Sequence, residues 1–294
     1  EGLSDRRFAF YTKIHHAIAD GMTFARWFAN SGSASAADMD STPIWLQNEE
    51  PVEKPGGGSL VGLIADAVKM LGGGVRTAID LTALSASLVQ KSVFERNRDA
   101  VLPLAAEKTR FNVPTGAARN FSICHYPLPE LKAIASSRGA SINDMVMTMC
   151  DLAVNRYLAE QGEEPEQALI AYMPVNLRKD DRDEGNLISL LQVKLASDHD
   201  DPLLALEQVR QASLSTREIY GSVSRPAIQM YSLLVALLPL GEELLRLDQL
   251  LPPAINLVIS NIPGPSQTMY FCGAEVVEFW YENLALDPYV IASP

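Results

Sequence analysis

Phe8-Ala9-Phe10-Tyr11-Thr12-Lys13-Ile14-His15-His16-Ala17-Ile18-Ala19-Asp20-Gly21 opens the argument about the fold. Phe8, Phe10, Thr12, Ile14 and His16 alternate with Ala9, Tyr11, Lys13 and His15, the two-residue period of a strand with one bulky face. Asp20-Gly21 breaks that period, and Asp20 is a candidate N-cap for an aromatic helix through Phe24, Trp27 and Phe28.

Outward from this junction, strands and helices keep alternating. Residues 30–59 turn to Ser, Ala, Asp, Glu, Pro and Gly and read as a surface connection. Leu60 to Phe94 is apolar and weakly helical, broken by Gly72-Gly73-Gly74. A strand is expected at Phe121 to Tyr126, then a helix at Leu131 to Ser137 introduced by Pro127 and Pro129 and ended by Gly139. Ser141 caps a strongly helical stretch, Met145 to Glu160, stopped by Gly162. Strand patterns follow at Ala168 to Met173 and Ile188 to Ala196, helical ones at Leu203 to Ile219 and Ile228 to Leu251, with Pro239 inside the latter. Ile255 to Ile259, Met269 to Phe279 and Tyr289 to Ala292 read as strands. Alternation of this kind defines an α/β class.

Composition narrows the function classes. The chain has 294 residues, with 24 Lys plus Arg against 36 Asp plus Glu, a formal charge of −12 that argues against a nucleic-acid binder. Hydrophobic residues are 47% and charged residues 20%, enough to build a large core. Cys124, Cys150 and Cys272 are odd in number and far apart, which fits a reducing intracellular compartment. Met230 to Leu240, the longest apolar candidate, falls short of the roughly 18 to 20 residues that span a bilayer. The chain begins Glu1-Gly2-Leu3, with neither methionine nor signal pattern, so a fragment with further sequence upstream is expected.

The chemistry concentrates in His15-His16-Ala17-Ile18-Ala19-Asp20-Gly21. An imidazole held at the end of a strand has an ordinary pKa suited to general-base work at neutral pH. Adjacent strand residues face opposite ways, so one histidine is catalytic and the other structural. His16 is the candidate base. Asp20 either orients it or fixes the turn as cap and ion-pair partner, and the neighbouring Gly21 favours the second role. Two histidines satisfied in a core or an exposed turn are the bland alternative. No His-x-x-x-His or Cys-x-x-Cys supports a metal, and His125 and His199 lie in unrelated contexts. Neither Gly56 to Gly58 nor Gly72 to Gly74 precedes the Gly-Lys-Ser/Thr of a phosphate loop, and no Gly-x-Ser-x-Gly nucleophile elbow occurs. Cys124 abuts His125, but on a strand the two side chains diverge.

The HHxxxDG pattern resembles the hallmark of the CoA-dependent acyltransferase superfamily, which includes chloramphenicol and carnitine acyltransferases and condensation domains. Within it the chain is similar to the bacterial bifunctional wax ester synthase/acyl-CoA:diacylglycerol acyltransferases. Three further stretches carry the resemblance: Ser141-Ile142-Asn143-Asp144, Met173-Pro174-Val175-Asn176-Leu177-Arg178, and Ser260-Asn261-Ile262-Pro263-Gly264-Pro265. Taken singly, they read as a helix cap, a strand exit and a turn.

The resemblance implies two chloramphenicol-acetyltransferase-like α/β sandwich domains with mixed sheets, the first incomplete in this chain. Residues 1–59 would belong to the N-terminal domain, 60–118 to a helical connection and 119–294 to the C-terminal domain. It implies that His16 deprotonates a long-chain alcohol or diacylglycerol, whose oxygen attacks an acyl-CoA thioester without an acyl-enzyme. His15 and Asp20 would support the site, Asn143 would help to order it, and Asp144, Arg178, Ser260 and Asn261 would bind substrate. No cofactor and no metal are expected. CoA phosphates would need local cations, for which Lys132, Arg138, Arg178 and Lys179 are candidates, each otherwise an ordinary solvated charge. The expected setting is cytoplasmic, peripheral to the inner membrane or lipid droplets, with Leu60 to Leu71 and Ile228 to Leu251 as apolar faces or, equally, interface core. A homodimer is left open. The alternatives are a condensation-type acyltransferase fed by a carrier-protein thioester and a silent lipid-binding homologue.

Overall fold

A computed structural model of the chain describes residues 7–12, 21–39, 42–46, 75–91, 100–113, 122–176, 188–196, 200–221, 223–224, 226–235, 251–262, 264, 267–278 and 289–292. It forms two compact units. The smaller takes Glu1–Val52, Arg178–Leu187 and Pro263–Phe279, and the larger takes Glu53–Leu177, Ile188–Ile262 and Trp280–Pro294.

The larger unit is built on a mixed sheet of order β2-β1-β3-β6. Strand β1 (Ile170–Asn176) runs antiparallel to β2 (Ile188–Lys194), in register from Ile170 opposite Lys194 to Asn176 opposite Ile188. On its other edge β1 is parallel to β3 (Leu257–Asn261), which is parallel to β6 (Tyr289–Ala292). The two-residue alternation of side chains sorts β1 between two cores. Ala171 and Met173 face Met147 and Leu158 of α4 (Ile142–Glu160) and Ala205, Val209 and Ala212 of α5 (Pro202–Gly221). Ile170 and Tyr172 face Leu84 and Leu88 of α2 (Val75–Val89) and Ile228, Tyr231 and Val235 of a helical stretch at 226–235. Ile228 is therefore core, whereas Leu234 is half-exposed.

Buried polar groups tie distant segments to this sheet. The Asn256 side chain accepts from the Ile170 backbone N–H at 2.9 Å and donates to the Glu107 carbonyl at 2.7 Å and to Asn112 Oδ1 at 3.1 Å. Its own backbone N–H donates to the Ile170 carbonyl at 2.8 Å, so it extends the β1–β3 ladder at one end. The Tyr172 hydroxyl donates to the Val235 carbonyl at 3.1 Å. In a continuing helix that carbonyl would accept from residue 239, a proline with no N–H to give.

The smaller unit holds α1 (Gly21–Ser31), a 3₁₀ turn at Ile44–Leu46, and a hairpin of β4 (Tyr270–Phe271) and β5 (Ala274–Glu275). Phe28, Ile44 and Met269 form its core, lined by Phe24, Trp27 and Val276. Ser33 and Tyr270 exchange two backbone hydrogen bonds, at 2.9 and 2.8 Å, which sew the segment after α1 to the hairpin. Gly32 lies where a Cβ would sit 2.5 Å from the Met269 thioether.

Helices α3 (Leu128–Ser137), α4 and α5 lie where the sequence pattern puts them, α3 behind Pro127. Three strand expectations fail for physical reasons. Residues 7–12 form no strand, because among the described residues none pairs with them, and Phe8, Phe10 and Tyr11 are 61, 55 and 72% exposed. Residues 122–127 are likewise exposed and without a ladder. Met269 to Phe279 is not one strand, because Cys272 and Gly273, at φ 48° and 78°, make the two-residue left-handed turn that reverses it. The expectations for residues 13–20, 60–74 and 236–250 lie outside the described residues. No described helix is long and apolar enough to cross a membrane.

Candidate active site

His15, His16, Asp20, Arg178 and Lys179 lie outside the described residues; the other expected site residues are all in the larger unit. Asn143 and Asp144 open α4. Asp144 Oδ2 accepts from the Ser141 backbone N–H at 2.8 Å and from its hydroxyl at 2.7 Å, and the Asp144 N–H donates to Ser141 Oγ at 3.2 Å. This is a closed capping box, which satisfies two of the helix's free amides. Asp144 is 5% exposed, and its Oδ1 has no hydrogen-bond partner among the described residues.

The neighbouring Asn143 turns its amide toward the sheet. Its Nδ2 lies 3.0 Å from the Met173 sulfur and 3.9 Å from that of Met147. Thioethers are weak acceptors, so these contacts orient the amide with little energetic commitment. Met173 is the central residue of β1, and Ser260 and Asn261 end β3, which runs parallel to β1. Ser260 and Asn261 therefore lie at the carboxyl edge of the parallel strands, where open α/β sheets gather ligands. Lys132 and Arg138 are exposed on α3 and at its C-cap, and α3 packs on α4.

Helix α5, which packs on α4, carries an ion pair of its own. Arg210 holds Glu207 in a double ion pair, at 3.0 and 2.8 Å, and this with Gln211 lowers the Glu207 carboxyl to about 2. The same bond raises the Arg210 pKa, with a smaller attraction from Asp144 adding to it. Cys150 on α4 is no nucleophile, because burial, with Asp151 beside it, pushes its thiol up to about 12. Cys124 and Cys272 are exposed thiols. Among the described residues no group of three or more His, Cys, Asp or Glu is placed to hold a metal.

Comparison with known proteins decides the family. The wax ester synthase/diacylglycerol acyltransferase catalytic domain matches residues 1–146, and the WS/DGAT C-terminal domain matches residues 184–287. The chain belongs to the wax ester synthase/diacylglycerol acyltransferase family. Within that family it is 29% identical over 293 residues to the O-acyltransferase WSD of Acinetobacter baylyi, covering 98% of this chain and 62% of that protein. It is 32% identical over 281 residues to the Mycobacterium tuberculosis protein named probable diacyglycerol O-acyltransferase tgs2, covering 92% of this chain and 59% of that one. The chain thus spans about three fifths of the length of these relatives. The solved wax ester synthase/diacylglycerol acyltransferase of Marinobacter aquaeolei VT8 shares the fold, with a TM-score of 0.57, 24% identity, and coverage of 95% of this chain and 55% of that one.

Sequence reading missed the aromatic contacts of the smaller unit, which bring Phe271 against Phe10 and Phe28. The Cys272-Gly273 pair was the available signal, since glycine at the second position of a two-residue loop marks a hairpin and brings residues 270 and 271 back toward α1.

Proposed function

We propose that this chain carries the acyl-transfer chemistry of an O-acyltransferase that moves a long-chain acyl group from acyl-CoA to a fatty alcohol, a diacylglycerol, or both. The observation that carries the reading is His15-His16-Ala17-Ile18-Ala19-Asp20-Gly21 inside the match to the family's catalytic domain, residues 1–146. In this reading His16 takes the acceptor hydroxyl proton as its oxygen attacks the thioester carbonyl, and CoA leaves as thiolate. His15 and Asp20 support the site around it. Asn143 donates toward the oxyanion side, with Asp144 holding the helix that presents it. Ser260 and Asn261, at the carboxyl end of β3, contact substrate together with Arg178. Cys150 is unsuited to an acyl-enzyme, in keeping with direct transfer. The reaction as written balances without cofactor or metal.

By family resemblance residues 1–59 belong to the N-terminal domain, 60–118 to the connection and 119–294 to the C-terminal domain, a division that differs from the two compact units, which join 178–187 and 263–279 to the N-terminal segment. The substrates are poorly soluble in water, so the enzyme works at a membrane or lipid-droplet surface from the cytoplasmic side.

The test is thiol release from palmitoyl-CoA in the presence of hexadecanol or a diacylglycerol. His16→Ala is expected to lower kcat by about 10²- to 10⁴-fold while the protein stays folded. Retention of wild-type turnover by the folded variant overturns the base assignment. Transfer from a carrier-protein thioester but not from acyl-CoA would instead favour the condensation-type reading.

A further inference from the structure

Phe271 lies between two segments that flank the histidine motif in sequence. Its ring stacks on Phe10, with centroids 6.0 Å apart and planes inclined by 29°, and on Phe28, with centroids 6.3 Å apart and parallel planes. Both separations fall in the range of favourable aromatic pairs. Phe10 precedes His16 by six residues, and Phe28 follows Asp20 by eight. One side chain therefore touches the chain on its way into the motif and again on its way out.

The post that carries this ring is itself fixed. Tyr270, next to Phe271, exchanges both backbone hydrogen bonds with Ser33, just after α1. The Val276 N–H donates to the Met269 carbonyl at 2.8 Å and closes the hairpin. At its tip, Gly273 approaches so closely that a Cβ would lie 2.7 Å from the Met39 sulfur. Phe28 is 8% exposed and anchors the α1 side in the small core, whereas Phe10 is 55% exposed in a stretch without strand pairing. The Phe271 ring thus packs at once on the segment that enters the motif and on the helix that leaves it.

We propose that Phe271 is a positioning residue for catalysis, clamping the two segments that flank His15 to Gly21 so that the base meets its proton in reacting geometry. This rests on the reading of His16 as the base. A base displaced by about 1 Å loses on the order of a hundredfold in rate with substrate binding little changed. The role is thus a kcat effect and not a KM effect.

The experiment compares Phe271→Ala, Phe271→Leu, Phe271→Tyr and Phe10→Ala in the intact enzyme, by steady-state kinetics with palmitoyl-CoA and hexadecanol and by thermal melting. Phe271→Ala should lower kcat by about tenfold to a hundredfold with KM for both substrates within about twofold. Phe271→Leu, which keeps apolar volume but no ring plane, should stay low, and Phe271→Tyr should return to within about threefold of wild type. Phe10→Ala should reproduce part of the loss, and its combination with Phe271→Ala should lose less than the product of the two. Wild-type kcat in folded Phe271→Ala, full activity of Phe271→Leu, or a loss confined to KM overturns the proposal. If Phe271→Ala fails to fold, Phe10→Ala decides, because removing a half-exposed ring leaves the core closed; wild-type kcat there overturns the clamp. His16→Ala run alongside separates the two readings. Full turnover in that variant removes the base assignment and the clamp with it, whereas an inactive His16→Ala beside wild-type Phe271 variants removes the clamp alone.

Discussion

The larger unit covers both faces of its sheet with helices, and its buried Asn256 and Gln192 side chains are hydrogen-bonded through to Glu107, Asn112, Ala254 and Tyr231. Among the described residues, the smaller unit has three buried apolar side chains, a two-strand hairpin, and a few rings and glycines at close approach. A core of the first kind sets global stability, since losses there are spread over many contacts. One of the second kind contributes less to the melt, yet it carries the segments on either side of the histidine motif. Stability and catalytic geometry should therefore be separable by mutation.

The strongest way to break that contrast is at Asn256. Asn256→Leu leaves the buried Ile170 N–H and the half-buried Glu107 carbonyl without their partner, which should cost about 3 kcal/mol and lower the melting temperature by about 6–12 °C. Calorimetry reads it directly, and a shift of less than about 2 °C would show that the network is dispensable.

A smaller effect is expected from Gly273→Val. A β-branched residue at φ 78°, with its Cβ pressed on Met39, should cost roughly 2 kcal/mol within the hairpin. Hydrogen exchange should then speed up at the Ser33 and Tyr270 amides and stay unchanged at Ile170 and Leu195. Equal acceleration in both units would mean that they open together.

The smallest effect belongs to the Glu207–Arg210 pair. The folded carboxyl titrates at about 2, below its ordinary 4.5, so its contribution is present above pH 4.5 and lost as the pH falls toward 2. Glu207 is half-exposed, and solvent limits the gain to about 0.5 kcal/mol. Urea melts of wild type and Glu207→Gln should differ by that amount at pH 7 and converge at pH 2.

How far the sequence could be read follows the same division. Ser141, the proline pair and the apolar periodicity declared α3, α4, α5, β1 and β2, because local propensity and burial agree there. Residues 7–12 and 122–127 have strand composition, but a strand exists only with a partner, and alternation alone does not supply one. Nothing local sets Asn256 apart inside the expected strand at Ile255 to Ile259, since its side-chain partners lie 86 to 149 positions away. The histidine motif stood out by residue type, as did the Ser141–Asp144 box. That Asn143 would point at a methionine on β1 depends on how α4 packs on the sheet, which no local pattern encodes.

The parallel edge of β1 has a consequence for the chain during its synthesis. The β1–β2 hairpin is complete once Lys194 is made, but β1 waits for the stretch beginning at Asn256, 86 residues after Ile170, and β3 waits in turn for Tyr289. Asn256 follows Lys194 by 62 residues, so at translation speeds of about 5–20 residues per second the open edge stays unpaired for roughly 3–12 s. A nascent chain of this kind exposes an adhesive border on the ribosome, so it should depend on chaperone occupancy most strongly in the interval when the hairpin has formed and its neighbour has not emerged.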